Sequence, residues 1–173
     1  DDGPDSGYTK WTFHCVPDVK YSIVEQRTES GRSFVKIKVT ELHVKLTLPI
    51  TVNLASNAAP ATVEHEYGHV KICTAIYDHA TEIAEKCGNE IVGQEFQSNA
   101  PTTKDALDQA VAAAHDAFCN RYMQFTAERV NVTSEIYDAL VAKLNEPTDN
   151  AVRDAQKAFS ETKRDEKAWR TFH

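Results

Sequence analysis

The segment Val63-Glu64-His65-Glu66-Tyr67-Gly68-His69-Val70 sets two histidines four positions apart, with a glutamate directly after the first. On a helix, His65 and His69 lie one turn above each other and offer imidazole nitrogens to a single ion from the same face. Glu66 projects to the side. There it is poorly placed to ligate that ion but well placed to take a proton from a metal-activated water. With background frequencies of about 2% for His and about 6% for Glu, a random chain of this length shows the pattern well under roughly one time in a hundred.

The surrounding sequence predicts the helix that this chemistry needs. His65, His69, Cys73, Ile76, Ala80, Ile83 and Cys87 fall on one stripe at spacings of three or four, the face that a helix buries. Two imidazoles and a carboxylate turned toward a core are costly unless hydrogen-bonded or bound to metal. The helix is expected over about 62–87, with Thr62 as its cap and Gly88-Asn89 at its end.

Upstream, alternating apolar and polar residues predict a small antiparallel sheet over about 8–54, interrupted by the turn-prone Glu29-Ser30-Gly31-Arg32. Pro49 in the run from His43 to Leu54 predicts an edge strand or a bulge, and an edge strand beside the motif suits a peptide adding by backbone hydrogen bonds. The segment from Asn89 to Ala100 reads equally as a helical turn or a loop. A second long helix, opened by Thr102 or Thr103, is expected over about 103–145, with Leu107, Val111, Ala114, Phe118, Tyr122, Phe125, Val132, Ile136 and Leu140 as its buried stripe. Glu146-Pro147 should break it, and a shorter helix over about 148–170 follows, with Val152, Ala155, Phe159 and Trp169 as contacts. The expected architecture is α+β: the sheet packed on two long antiparallel helices, zincin-like, with a short C-terminal helix, in one domain spanning 1–173.

At 173 residues and 41% hydrophobic, the chain can build a core of its own, and it has no apolar run long enough for a membrane span. The net charge of −7, with scattered Lys and Arg, excludes a nucleic-acid-binding face. The opening Asp1-Asp2-Gly3-Pro4-Asp5-Ser6-Gly7 is expected of a trimmed or processed chain. Cys15, Cys73, Cys87 and Cys119 contain no C-x-x-C pair, so two disulfides or four thiols are expected instead of a cysteine metal cluster. Of the other histidines, His14, His43, His79, His115 and His173 are expected to be surface or packing residues.

A catalytic zinc takes three protein ligands and keeps one position open. A metzincin would place a further histidine six residues after His69, but Ala75 stands there. The third ligand is therefore expected to be an acid from the second helix: Asp138, Glu135 or Glu128. A helical wheel at about 100° per residue sets Glu128 and Glu135 beside the apolar stripe and Asp138 further round.

The order of parts is similar to that of the predicted secreted zinc-dependent protease family of bacteria. The residues that carry this are Trp11-Thr12-Phe13, Leu46-Thr47-Leu48-Pro49, His65-Glu66-Tyr67-Gly68-His69-Val70 and Tyr137-Asp138, across roughly Gly7 to Leu140. In that family the Tyr-Asp pair is followed by a Thr and a His-Gly, where this chain has Val141 and Lys143-Leu144. The resemblance implies a gluzincin-type metallopeptidase, secreted or periplasmic, acting on peptide or protein, and it favours Asp138 over Glu135 as the third zinc ligand. Glu66 would then be the general base, with Tyr137 either packing or facing the cleft. The alternative is a non-catalytic zinc-binding or protein-interaction module that retains the fold.

Overall fold

A computed structural model describes residues 7–144 and 148–170, with side chains for all of these but 143–144 and 162–170. The protein is α+β. Its elements in order are β1 (Gly7–Trp11), β2 (His14–Glu29), β3 (Arg32–Thr47), β4 (Ile50–Leu54), α1 (Pro60–Tyr77), α2 (Ala80–Ile91), β5 (Glu95–Ala100), α3 (Thr103–Phe125), α4 (Ala127–Leu144) and α5 (Thr148–Arg170). No described helix is long and apolar enough to cross a membrane. The expected break at Glu146-Pro147 and His173 lie outside the described residues, and the Trp169 contact lies outside the described side chains.

Contacts sort the chain into two compact units: Asp1–Phe13, Leu48–His79 and Thr126–His173 form one, and His14–Thr47 with Ala80–Phe125 the other. In the second unit, β2 and β3 form a long antiparallel hairpin closed at Ser30 and Gly31, whose φ values of 53° and 75° match the two-residue turn favoured between twisted strands. β3 runs unbroken through Leu42 and His43, where two strands are expected. It pairs on its other side with β5. The sequence hides β5 because Phe96 is the one strand-favouring residue in Glu-Phe-Gln-Ser-Asn-Ala. Val35 and Ile37 pack there on Ala100, Ala106 and Ala110, the alanines letting α3 lie close to the sheet.

The first unit holds the H-E-x-x-H segment. Its two-stranded sheet pairs β1 with β4, Gly7 opposite Leu54 and Trp11 opposite Ile50, and the Pro49 carbonyl accepts the Thr12 amide at 3.2 Å. α1 begins at Pro60, one residue after an extended Ala59, and Thr62 does not cap it. Proline suits that first position because its missing N–H has no partner to lose. α4 and α5 complete the unit, with Ile72, Ile76, Val130, Tyr137, Ala151, Ala155 and Phe159 buried.

Both long helices expected from the sequence are interrupted. The first stops at Tyr77 and resumes at Ala80, with the Asp78 amide closing on the Thr74 carbonyl at 2.9 Å. The second breaks at Thr126, whose carbonyl accepts the Val130 amide at 2.9 Å to start α4. The buried row keeps its four-residue step through the buried Thr126, and it is not the row expected from the sequence. On α3 the buried face is Ala106, Ala110, Ala114, Phe118 and Tyr122, but Phe125 and Val132 are exposed, and α4 buries Val130, Thr133, Ser134 and Tyr137 instead.

Candidate metal centre

One turn of α1, one turn of α4 and one face of β1 build the site. Alternation along β1 puts Gly7, Thr9 and Trp11 on its half-buried face. Space at Gly7 is tight: a side-chain carbon there would stand 3.0 Å from Leu54 and Thr62 and 3.1 Å from the Glu66 side chain. β1 can therefore deliver Thr9 and Trp11 onto α1. The Thr9 hydroxyl donates to Glu66 Oε2 at 2.7 Å, and the Trp11 ring stacks on His69 at 5.9 Å between centroids, 28° from parallel.

α4 supplies the acid. His65 Nε2 lies 3.2 Å and His69 Nε2 3.1 Å from the same oxygen, Asp138 Oδ1. Burial works to raise the Asp138 carboxyl, but the hydrogen bonds from His65 and His69 outweigh it and hold the group well below the usual carboxylate range. The bond to Asp138 likewise lifts His65 above an ordinary imidazole, against its own partial burial. Both imidazoles therefore lie within hydrogen-bonding distance of one carboxylate oxygen.

Tyr137, the residue before Asp138, fixes the histidines. Its ring is fully buried, lies 5.1 Å from that of His65 in a near-parallel stack, and meets His69 edge-on at 5.1 Å. Its hydroxyl donates to the His65 carbonyl at 3.0 Å, and burial pushes its phenol up. Tyr137 is not among the residues lining the cleft, so of its two expected roles the structure gives it packing. Gly68 makes room for it, since a Cβ at 68 would overlap the Tyr137 hydroxyl and ring.

Among the described residues, His65, His69 and Asp138 are the group that could hold a metal ion. The donor set fits one. Around a tetrahedral zinc with bonds of about 2.0–2.1 Å, neighbouring ligand atoms stand about 3.3 Å apart, and the two His–Asp separations here are 3.2 and 3.1 Å. A liganding imidazole usually donates its other ring N–H. His69 Nδ1 is buried with no such partner among the described residues, so the Trp11 and Tyr137 rings orient it by packing.

The three ligand candidates face a cleft of about 650 Å³, also lined by Tyr8, Glu66, Asn131, Ser134 and Glu135. Glu135 reaches the cleft without pairing with either imidazole among the described contacts, and Glu128 is not part of its wall. Cys73, one turn beyond His69, is buried outside it as a thiol, with burial pushing it up to about 12. The sequence reading missed Thr9 as a partner of Glu66 and Trp11 as a partner of His69. Their signal was the two-residue alternation of Gly7, Thr9 and Trp11. No protein-family model matches the chain, and searches of curated proteins and of solved structures likewise find no significant match, which leaves the geometry of the centre to speak for its chemistry.

Proposed function

We propose that the protein is a zinc-dependent peptide hydrolase of the gluzincin type, secreted or periplasmic as its motif resemblance implies. The observation that carries the reading is the convergence of His65 and His69 on Asp138 Oδ1, one residue from a buried glutamate on the wall of the same cleft. Zinc held by these three groups would polarise a peptide carbonyl and acidify a water molecule.

The chain's own residues supply the rest. Glu66, 5% exposed, is steadied at Oε2 by Thr9. It takes a proton from the attacking water and returns it to the departing amine. Tyr8 and Trp11 place β1 along the cleft wall, and among the described residues β1 pairs with β4 alone. Its other edge can receive an extended peptide by backbone hydrogen bonds, a role the sequence suggested for the later strand around Pro49.

Glu66→Gln separates this reading from its alternatives. A hydrolase keeps its zinc in the variant and loses peptide cleavage by about 100-fold or more, whereas the wild type cleaves and chelation stops it. A zinc-loaded wild type that cleaves nothing in a broad peptide library would overturn the proposal and leave a non-catalytic zinc module.

A further inference from the structure

Cys15 is the second residue of β2 and Cys119 lies on α3, within the same compact unit. The two are 104 positions apart in sequence, yet their sulfurs lie 2.7 Å from each other, and Cys119 Sγ is also 3.5 Å from the Cys15 carbonyl oxygen. That juxtaposition is closer than two unbonded thiols pack. Both cysteines are half-buried, in contrast to the fully enclosed Cys73 and Cys87, so a small reagent can reach them. The metal centre, built in the other unit, uses neither.

We propose that Cys15 and Cys119 form a redox site that a small-molecule disulfide, such as oxidised glutathione, converts to an intramolecular disulfide stapling β2 to α3. One cysteine thiolate attacks a sulfur of the oxidant, forming a mixed disulfide and releasing one glutathione thiolate. The second cysteine thiolate then displaces the other glutathione, and the Cys15–Cys119 bond forms. Two electrons pass from the cysteines to the oxidant, and the two thiol protons end on the released glutathiones. Burial, followed by the neighbouring Cys119 sulfur, pushes the Cys15 thiol up to about 12, so exchange in the folded chain is slow and is read at equilibrium.

The test incubates the full-length chain with oxidised glutathione, alkylates it in denaturant without reductant, and maps the digest by mass spectrometry. The expected result is alkylation at Cys73 and Cys87 alone, with a Cys15–Cys119 cross-linked peptide that dithiothreitol abolishes. Because the bond closes a loop of 104 residues, reduction should lower the thermal midpoint by about 5 °C or more. The Cys15→Ser/Cys119→Ser variant should show no such shift. Alkylation of all four cysteines, a glutathione adduct that goes no further, or a cross-link through Cys73 or Cys87 would overturn the site. A midpoint indifferent to reduction of the formed bond would overturn the staple. The mapping uses wild-type protein, so it stands even if the variant does not fold.

Discussion

Gly68→Ala sets helix propensity against packing, and the two predict opposite signs. On propensity alone, replacing an interior helical glycine by alanine stabilises by about 1 kcal/mol. At this position, however, the new Cβ would overlap the Tyr137 hydroxyl and ring and stand 3.0 Å from Cε1. Tyr137 is fully buried and has nowhere to retreat. Forcing a methyl into a filled core costs about 1–3 kcal/mol, and breaking the Tyr137–His65 hydrogen bond costs about 1 kcal/mol more. The net expectation is a loss of about 1–3 kcal/mol in urea unfolding of the zinc-free chain. Zinc affinity should fall as well, because Tyr137 holds the ring of His65. Tyr137→Phe removes the hydroxyl but keeps the ring, so it should cost about 1 kcal/mol and weaken zinc less. A Gly68→Ala variant as stable as wild type, or more so, refutes the packing argument.

Thr9→Val removes the hydroxyl on Glu66 while keeping the shape, leaving a buried carboxylate one hydrogen bond short. It should destabilise by about 1.5–3 kcal/mol in chemical unfolding, with Thr9→Ser close to wild type. Thr102 caps α3, its hydroxyl oxygen accepting the Asp105 amide at 3.1 Å and donating to the Asp105 carboxylate at 2.7 Å. Thr102→Ala should therefore lower stability by about 1 kcal/mol, and no measurable change would count against the cap.

Much of the centre was legible because a helix converts sequence spacing into geometry directly: His65 and His69 had to share a face wherever α1 began. The third position was harder. The helical wheel favoured Glu135 because it took Phe125 and Val132 into the buried stripe, and both are exposed; the row that is buried steps by four from Ala106 through Tyr122, Thr126 and Val130 to Ser134. On that row Asp138, one turn beyond Ser134, comes onto both imidazoles. The break at Asp78 and His79 was hidden for a related reason, since Ile76 and Ala80 keep helical spacing across it and both are buried. β5 was hidden by composition, because what makes it a strand is pairing with β3, a partner more than fifty residues earlier. Local pattern reports faces and periods. It does not report where a helix restarts or which distant strand supplies hydrogen bonds.

The claim that His65, His69 and Asp138 hold one metal ion is tested most directly by elemental analysis. Wild type, Asp138→Ala and Glu135→Ala would be purified without chelator, supplied with zinc and dialysed. The account predicts about one zinc per chain in wild type and in Glu135→Ala, and near-complete loss in Asp138→Ala. A wild type that holds no zinc under these conditions, or an Asp138→Ala variant that holds as much as wild type, would contradict it.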